Sequence, residues 1–204
     1  MLKKLLILVL LAFPLAAIAA PAPVILVLGD SLSAAYGIDQ NAGWVALLQK
    51  RLMEQSYNYR VVNASISGAT TRSGLSRLGQ ALQTYKPVII VLELGANDGL
   101  RGLTVEEMRN NLAAIIEKSR QNRAKVLLIG MRLPPNYGPA YTKKFHDVYT
   151  GLADRYRIPL VPFLLEGVAT DFSLMQSDGL HPTAEAQPMI LENVWKEMAR
   201  MVRK

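Results

Sequence analysis

The sequence contains no cysteine, which excludes a disulfide framework and a lipid-anchored N-terminal cysteine. It has only two histidines, and no group of histidine and carboxylate residues has the spacing of a metal site. Glycine loops of the phosphate-binding and dinucleotide-binding types are also missing. We therefore expect no cofactor and no metal, so that any reaction depends on ordinary side chains and water.

Runs of like charge are absent as well. The formal net charge of the 204 residues is +7, but the basic residues are scattered along the chain. We interpret them as a solvated surface, with no nucleic-acid partner and at most weak peripheral contact with an anionic membrane. No internal repeat or interdomain linker is found, so we expect a single domain and a monomer.

The one long apolar run lies at the N-terminus. Lys3 and Lys4 precede an apolar stretch over residues 5–20, which ends in the small-x-small pattern Ala17-Ile18-Ala19. With 16 residues, the stretch is shorter than the ~20 residues of a membrane-spanning helix. We interpret residues 1–19 as a cleaved secretory signal peptide, with an uncleaved anchor as the alternative. Residues 20–204 would then form the exported domain, in the periplasm or outside the cell.

Apolar segments typical of buried strands alternate with helical patterns along this domain. The first segment, residues 24–28, is entirely apolar and is followed by Gly29-Asp30-Ser31. The other predicted strands are residues 59–63, 88–92, 125–130 and 158–161. This alternation predicts an α/β fold: one doubly wound, flavodoxin-like parallel sheet of five strands in the order 2-1-3-4-5, with helices on both faces.

Polar turns follow the first three predicted strands. They are Gly29-Asp30-Ser31, Ser67-Gly68-Ala69 and Gly95-Ala96-Asn97-Asp98. In the order 2-1-3-4-5 these turns would meet at one edge of the sheet. They offer a hydroxyl, an accessible glycine N–H and a side-chain amide, which are the groups that acyl transfer needs. Taken on its position alone, Ser31 is more typical of a hydroxyl that caps the next helix.

A serine nucleophile needs a base, which is usually histidine. His146 lies within a helical pattern, whereas His181 lies in the turn Asp178-Gly179-Leu180-His181-Pro182. A carboxylate three residues before a histidine can hold the imidazole ring and fix its tautomer. The alternative is a surface histidine beside an aspartate that caps a turn.

Taken together, these blocks resemble those of the SGNH (GDSL) hydrolases, in the same order along the chain. The resemblance implies that Ser31 is the nucleophile, that His181 is its base and that Asp178 orients His181. It also implies an oxyanion hole formed by the N–H groups of Ser31 and Gly68 and the side-chain amide of Asn97. The motif G-x-S-x-G is absent, which argues against the α/β-hydrolase fold.

The other polar residues beside these blocks have simpler interpretations. We interpret Asp30 and Asp98 as turn-forming residues and Ser33 as a turn or cap residue. Trp44 is expected in the core.

Apolar residues in three loops, residues 71–78, 100–103 and 133–141, are expected to line a substrate pocket. They are Leu75, Leu78, Leu100, Leu103, Leu133, Pro134 and Tyr137. Packing of helix ends is the alternative explanation for the leucines.

The resemblance implies a secreted esterase of broad specificity that acts on carboxylic esters and thioesters with apolar acyl or aryl groups, lysophospholipids included. Acyl-CoA would be cleaved in vitro, since export separates the enzyme from cytoplasmic coenzyme A. One alternative is a carbohydrate O-acetylesterase of the same fold. Another, from a different class, is a non-catalytic α/β module that binds lipid or glycan.

Overall fold

The structure, a computed structural model, describes residues 21–204, so the predicted signal peptide lies outside the described residues. Five parallel strands form one sheet in the order β2-β1-β3-β4-β5, which confirms the predicted α/β fold and strand order. The strands are β1 (Val24–Leu28), β2 (Arg60–Asn63), β3 (Ile89–Leu92), β4 (Lys125–Ile129) and β5 (Leu160–Val161).

Within residues 21–204, six α-helices connect or follow the strands. They are α1 (Trp44–Glu54), α2 (Thr71–Tyr85), α3 (Ala96–Leu100), α4 (Val105–Gln121), α5 (Pro139–Tyr156) and α6 (Gln187–Met198). Helix α1 packs on α6, while α4 packs on both α2 and α5, so helices cover both faces of the sheet. None of the helices within residues 21–204 is long and apolar enough to cross a membrane.

The central position of β1 in the sheet explains why all of its residues are apolar. All five of its residues are buried, because strands pair on both sides of it and helices cover both faces. Its register pairs Leu28 with Leu92 of β3. Gly29 and Glu93, the next residue on each strand, are therefore neighbours at the carboxyl edge of the sheet.

Two connections differ from the prediction because of glycine and proline. A turn was expected at residues 95–99, but α3 begins at Ala96, after Gly95 at φ +120°, where a Cβ would collide with the Tyr149 hydroxyl group. The loop expected over residues 133–141 contains a 3₁₀ turn at Pro135–Tyr137 and ends at Pro139, which begins α5. Proline fits the first helical turn because no partner is needed there for its missing N–H.

Helix starts are otherwise close to the sequence signals. Thr104 caps α4 by accepting the Glu107 N–H at 3.2 Å. The Glu107 side chain forms an ion pair with Arg72 at 2.6 Å. Strand β5 begins only at Leu160, since Pro159 has no N–H to donate to the sheet.

Candidate active site

Ser31 lies in the turn after β1, and His181 reaches it from the loop before α6. The Ser31 hydroxyl group is 2.9 Å from Nε2 of His181. Nδ1 of the same ring is 2.6 Å from Oδ2 of Asp178. Three side chains that are up to 150 positions apart in the sequence thus form one continuous chain of hydrogen bonds.

The Asp178 carboxylate is held by its own loop. Its Oδ1 accepts the N–H groups of Leu180 at 2.9 Å and His181 at 3.0 Å. Burial opposes ionisation, but these two N–H groups and the His181 ring together lower the pKa of Asp178 to about 2. An ionised Asp178 accepts only, so the proton on the ring lies at Nδ1, and Nε2 is left to accept from Ser31.

Two residues without a sequence signal hold the histidine loop in place. The Tyr36 ring lies against the imidazole, with 4.5 Å between the ring centroids. Gln176 donates from Nε2 to the carbonyl groups of Tyr36 at 2.8 Å and Pro182 at 3.0 Å. The loop that carries the base is therefore tied to the turn that carries Ser31, a contact that no local pattern indicates.

The groups predicted for an oxyanion hole also lie at this edge of the sheet. Gly68 adopts φ +78°, and its carbonyl group accepts from Arg101 at 3.0 Å. Within the part of the chain that the structure describes, neither the Ser31 N–H nor the Gly68 N–H donates a hydrogen bond. Asn97, in the first turn of α3, donates from Nδ2 to Oδ2 of Asp30 at 3.2 Å. Its amide has a second N–H that can donate to a substrate.

A largely apolar cavity of about 440 Å³ opens beside Ser31 and His181. Leu100, Leu133 and Pro134 line it, as expected. Sequence reasoning missed six further apolar residues of its wall, which come from the segments that follow β4 and β5. These are Met131, Phe163, Leu165, Ala169, Met175 and Leu180.

Four residues expected in the pocket do not line it: Leu75, Leu78, Leu103 and Tyr137. Leu78 is completely buried, and Leu75 packs against the same core, because the apolar face of α2 is turned toward the sheet. Tyr137 donates its hydroxyl group to the Leu100 carbonyl at 3.0 Å, behind the cavity wall. Helical periodicity identifies an apolar face, but it does not distinguish a face that packs on a sheet from one that faces a substrate.

Carboxyl groups lie beneath the site, and one of them was not anticipated. Glu93, directly after β3, is completely buried, and so is Asp30. Asp98 is almost completely buried. Asp98 accepts the Thr71 N–H at 2.9 Å, which joins the start of α2 to α3. Ser33 lies in the turn as expected, and its hydroxyl group donates to Oε2 of Glu93 at 2.7 Å.

A second concavity, of about 460 Å³, lies at the opposite edge of the sheet. Basic side chains surround it, among them Arg123, Arg157 and Arg200, which follow the ends of α4, α5 and α6. The partial negative charge at three helix C-termini accounts for these cations without a ligand.

The second histidine of the chain has a structural partner. Nδ1 of His146, on α5, is 3.1 Å from the Met131 carbonyl oxygen. We expect His146→Ala to leave kcat within about twofold of the native value, since the ring touches neither Ser31 nor Asp178. Steady-state kinetics on a p-nitrophenyl ester would check this, and a hundredfold loss would contradict the choice of His181 as base.

Comparison with known proteins agrees with this geometry. The profile of the GDSL-like lipase/acylhydrolase family matches residues 27–187. The chain is 54% identical to esterase TesA of Pseudomonas aeruginosa over 176 residues, which is 86% of this chain and 88% of that protein. It is 41% identical to thioesterase 1/protease 1/lysophospholipase L1 of Escherichia coli K12 over 184 residues, 90% of this chain and 87% of that protein.

The crystal structure of TesA superposes on this chain with a TM-score of 0.86 at 53% identity. The match covers 87% of this chain and 99% of that structure. The likeness therefore extends over nearly the whole described domain.

Proposed function

The chain belongs to the GDSL-like lipase/acylhydrolase family and hydrolyses esters, and from this premise we propose that it is a serine esterase working through an acyl-enzyme on Ser31. The observation that carries the proposal is the hydrogen-bonded chain from Asp178 through His181 to Ser31, at the mouth of an apolar cavity.

In the first half of the reaction, Nε2 of His181 takes the Ser31 proton as Oγ bonds to the ester carbonyl carbon. The carbonyl oxygen becomes negative and accepts hydrogen bonds from the N–H groups of Ser31 and Gly68 and from the Asn97 amide. Each such donor contributes about 3–4 kcal/mol to the transition state. The bond to the leaving oxygen or sulfur then breaks, and His181 returns its proton to that atom.

In the second half, water replaces the leaving group. His181 removes a proton from water, the hydroxyl oxygen bonds to the acyl carbon, and Oγ of Ser31 leaves with the proton held by His181. Asp178 remains ionised throughout, because the imidazolium formed in each half lies directly against its carboxylate. The products are a carboxylic acid and an alcohol or thiol.

The cavity favours apolar acyl groups over acetyl. Its wall is formed by leucine, methionine and phenylalanine side chains, and a two-carbon acyl group would leave most of the 440 Å³ without contacts. We infer fatty acyl esters, thioesters and lysophospholipids as substrates, and the names of the relatives point the same way. Export of residues 20–204 as a monomer is part of this proposal.

Covalent labelling tests the proposal directly. A fluorophosphonate is expected to form one adduct on Ser31, identified by mass spectrometry of the digested protein, because only an activated serine reacts with it. Prior incubation with a substrate should slow the labelling. A folded protein that gives no adduct would contradict the esterase and favour the lipid- or glycan-binding module.

Acyl length separates a fatty acyl esterase from an O-acetylesterase. Each methylene buried in the cavity contributes about 0.8 kcal/mol, so kcat/KM is expected to rise about fourfold per carbon beyond acetyl until the cavity is filled. A series of p-nitrophenyl esters measures this slope. A steep fall beyond acetyl would instead identify the O-acetylesterase.

Ala169 lines the cavity but is exposed, so the variant Ala169→Trp is expected to reduce the cavity volume without enlarging a side chain of the core. It is expected to move the optimum to a shorter acyl group. Ala140→Trp, on the exposed first turn of α5 and outside the cavity, is the matched control.

A further inference from the structure

Two carboxyl groups lie side by side in the interior, directly beneath Ser31. Asp30 follows β1 and Glu93 follows β3, and both side chains are completely buried. Parallel pairing of these strands brings them together, since Glu93 donates its own N–H to the Leu28 carbonyl at 3.0 Å. Burying two ionised carboxylates next to each other is unfavourable in free energy. The pair therefore needs an interaction that offsets this cost.

The two carboxyl oxygens of Glu93 differ in their hydrogen bonds. Oε2 accepts the Asp30 N–H at 3.2 Å and the Ser33 hydroxyl group at 2.7 Å. Gly29 leaves room for this oxygen, because a Cβ at that position would lie only 2.7 Å from it. Among residues 21–204, no group donates to Oε1 of Glu93, although that atom is buried.

The Asp30 carboxyl group also borders the candidate oxyanion hole. Its Oδ1 accepts the Leu32 N–H at 3.1 Å, and its Oδ2 accepts from the Asn97 amide at 3.2 Å. Asp30 therefore fixes the direction of the side chain that is to donate to the substrate oxygen. Glu93, in turn, lies against Asp30, because its Oε2 accepts the Asp30 N–H, and each carboxyl group influences the pKa of the other.

Few charges reach this pair from the surrounding elements. Arg77 of α2 donates to the Gly29 carbonyl at 3.2 Å rather than to either carboxylate. Asp98 of α3 is bound to Thr71, and Tyr149 of α5 donates to the Leu94 carbonyl at 3.0 Å. His181 acts on the Asp30 carboxyl group only when it carries the positive charge of the imidazolium.

The pKa values of both carboxyl groups follow from this environment. Burial, partly offset by the Leu32 N–H and the Asn97 amide, raises the pKa of Asp30 to about 6. Burial and the neighbouring Asp30 charge raise the pKa of Glu93 well above its usual value. At neutral pH the group that keeps a proton is therefore Glu93.

We propose that Glu93 is a positioning residue whose protonated carboxyl group donates from Oε1 to ionised Asp30 and thereby holds the Asn97 amide toward the substrate carbonyl oxygen. The shared proton gives the orphaned oxygen a partner and leaves a single negative charge on the pair. That charge lies on Asp30, whose carboxylate oxygens accept hydrogen bonds from the Leu32 N–H and the Asn97 amide.

Glutamine reproduces the proposed state of Glu93. Its amide oxygen can take the place of Oε2 and accept from Asp30 and Ser33, while its NH₂ group takes the place of protonated Oε1. Glu93→Gln is therefore expected to keep kcat within about threefold of the native value. Glu93→Ala frees Asp30 and should lower kcat about 30-fold, a fraction of the ~10²–10³ that loss of a whole oxyanion donor costs.

The kinetic comparison uses one p-nitrophenyl ester at pH 7.5. KM should change less than threefold in both variants, since Asn97 acts on the transition state rather than on the bound ester. Equal losses of kcat in Glu93→Gln and Glu93→Ala would overturn the proposal, because the residue would then be needed as a charge. This kinetic comparison rests on the proposed function.

Thermal unfolding tests the shared proton without any use of activity. The pKa of Glu93 is higher in the folded state than in the unfolded state, so its protonated form adds to the free energy of unfolding. This contribution is present in full below pH 4.5 and is lost as the pH rises toward the folded-state pKa. Glu93→Gln has no such loss. The excess of its Tm over that of the native protein should therefore grow by about 3 °C per pH unit as the pH rises above 5 toward the folded-state pKa of Glu93.

Glu106→Gln removes an exposed carboxylate from α4 and is the matched control, with a Tm difference that does not vary with pH over this range. Infrared spectroscopy at pH 7.5 should show a protonated carboxyl absorption that Glu93→Gln lacks. A Tm gap independent of pH, or a native spectrum without that absorption, would overturn the proposal even if Glu93→Ala does not fold. Either result would leave the esterase assignment intact.

Discussion

Ser31→Ala is expected to lower kcat by about 10⁴–10⁶ while leaving the fold unchanged. Among residues 21–204, His181 is the only hydrogen-bond partner of the Ser31 side chain, which lies at the mouth of the cavity rather than in the core. Its removal takes away the atom that bonds to the acyl carbon. What remains is the binding of the ester and the stabilisation of negative charge on its carbonyl oxygen, which still accelerate attack by water.

The measurement is kcat on a p-nitrophenyl ester, together with the Tm of the variant and its reaction with a fluorophosphonate. Ser76→Ala, on the exposed side of α2, is the matched control and should retain full activity and labelling. Native-like turnover by Ser31→Ala, after contamination is excluded by labelling, would refute the assignment of the nucleophile.

His181→Ala is expected to lower kcat nearly as much as Ser31→Ala, because the two side chains act as one unit. Without the imidazole, no other side chain in the described part of the chain is hydrogen-bonded to Oγ to accept its proton, and the leaving atom loses its proton donor. The loss should be largest for esters with poor leaving groups, which need that proton most. An activated p-nitrophenyl ester and an alkyl ester, compared side by side, measure this difference.

Asp178→Asn should cost about tenfold to a hundredfold less than His181→Ala. Its side-chain oxygen can still accept the N–H groups of Leu180 and His181, which keeps the loop in place. The NH₂ group then faces Nδ1 and favours the tautomer that carries its proton at Nε2, so the ring is present but wrongly protonated. The reverse order of effects would mean that another acid supports His181.

Much of the fold follows from local patterns. Residues 24–28 are apolar throughout, and a strand with that composition has to lie in the middle of a parallel sheet covered on both faces. The strand order was predicted from the alternation of strands and helices, and it is confirmed. The departures occur at element ends, where Gly95 begins α3 and Pro139 begins α5, because a single backbone angle or missing N–H decides such an end.

The candidate site could be predicted for a different reason. The serine, the glycine and the asparagine each directly follow a predicted strand, and the carboxyl ends of parallel strands share one edge. His181 follows no strand in this way, and its place was predicted through the resemblance of the Asp178–His181 block. The structure brings these residues together, but their chemical roles stay predictions until the variants are measured.

The substrate wall and the buried carboxyl pair are beyond local patterns. Met131, Phe163 and Met175 come from three separate segments, and in sequence each looks like any other core residue. Glu93 stands alone after an apolar strand, and nothing near it in the chain indicates a buried partner. Leu78, by contrast, has the expected spacing but faces the sheet.

By itself, the sequence determined which segments form strands and which polar turns follow them. These properties follow from hydrophobic periodicity and backbone chemistry, which act over a few residues. Only the tertiary structure decided which leucines face the cavity, which loop holds His181 and which carboxyl group lies against Asp30. Those outcomes depend on close packing between segments far apart in the chain, where a single side chain determines what space its neighbours can occupy.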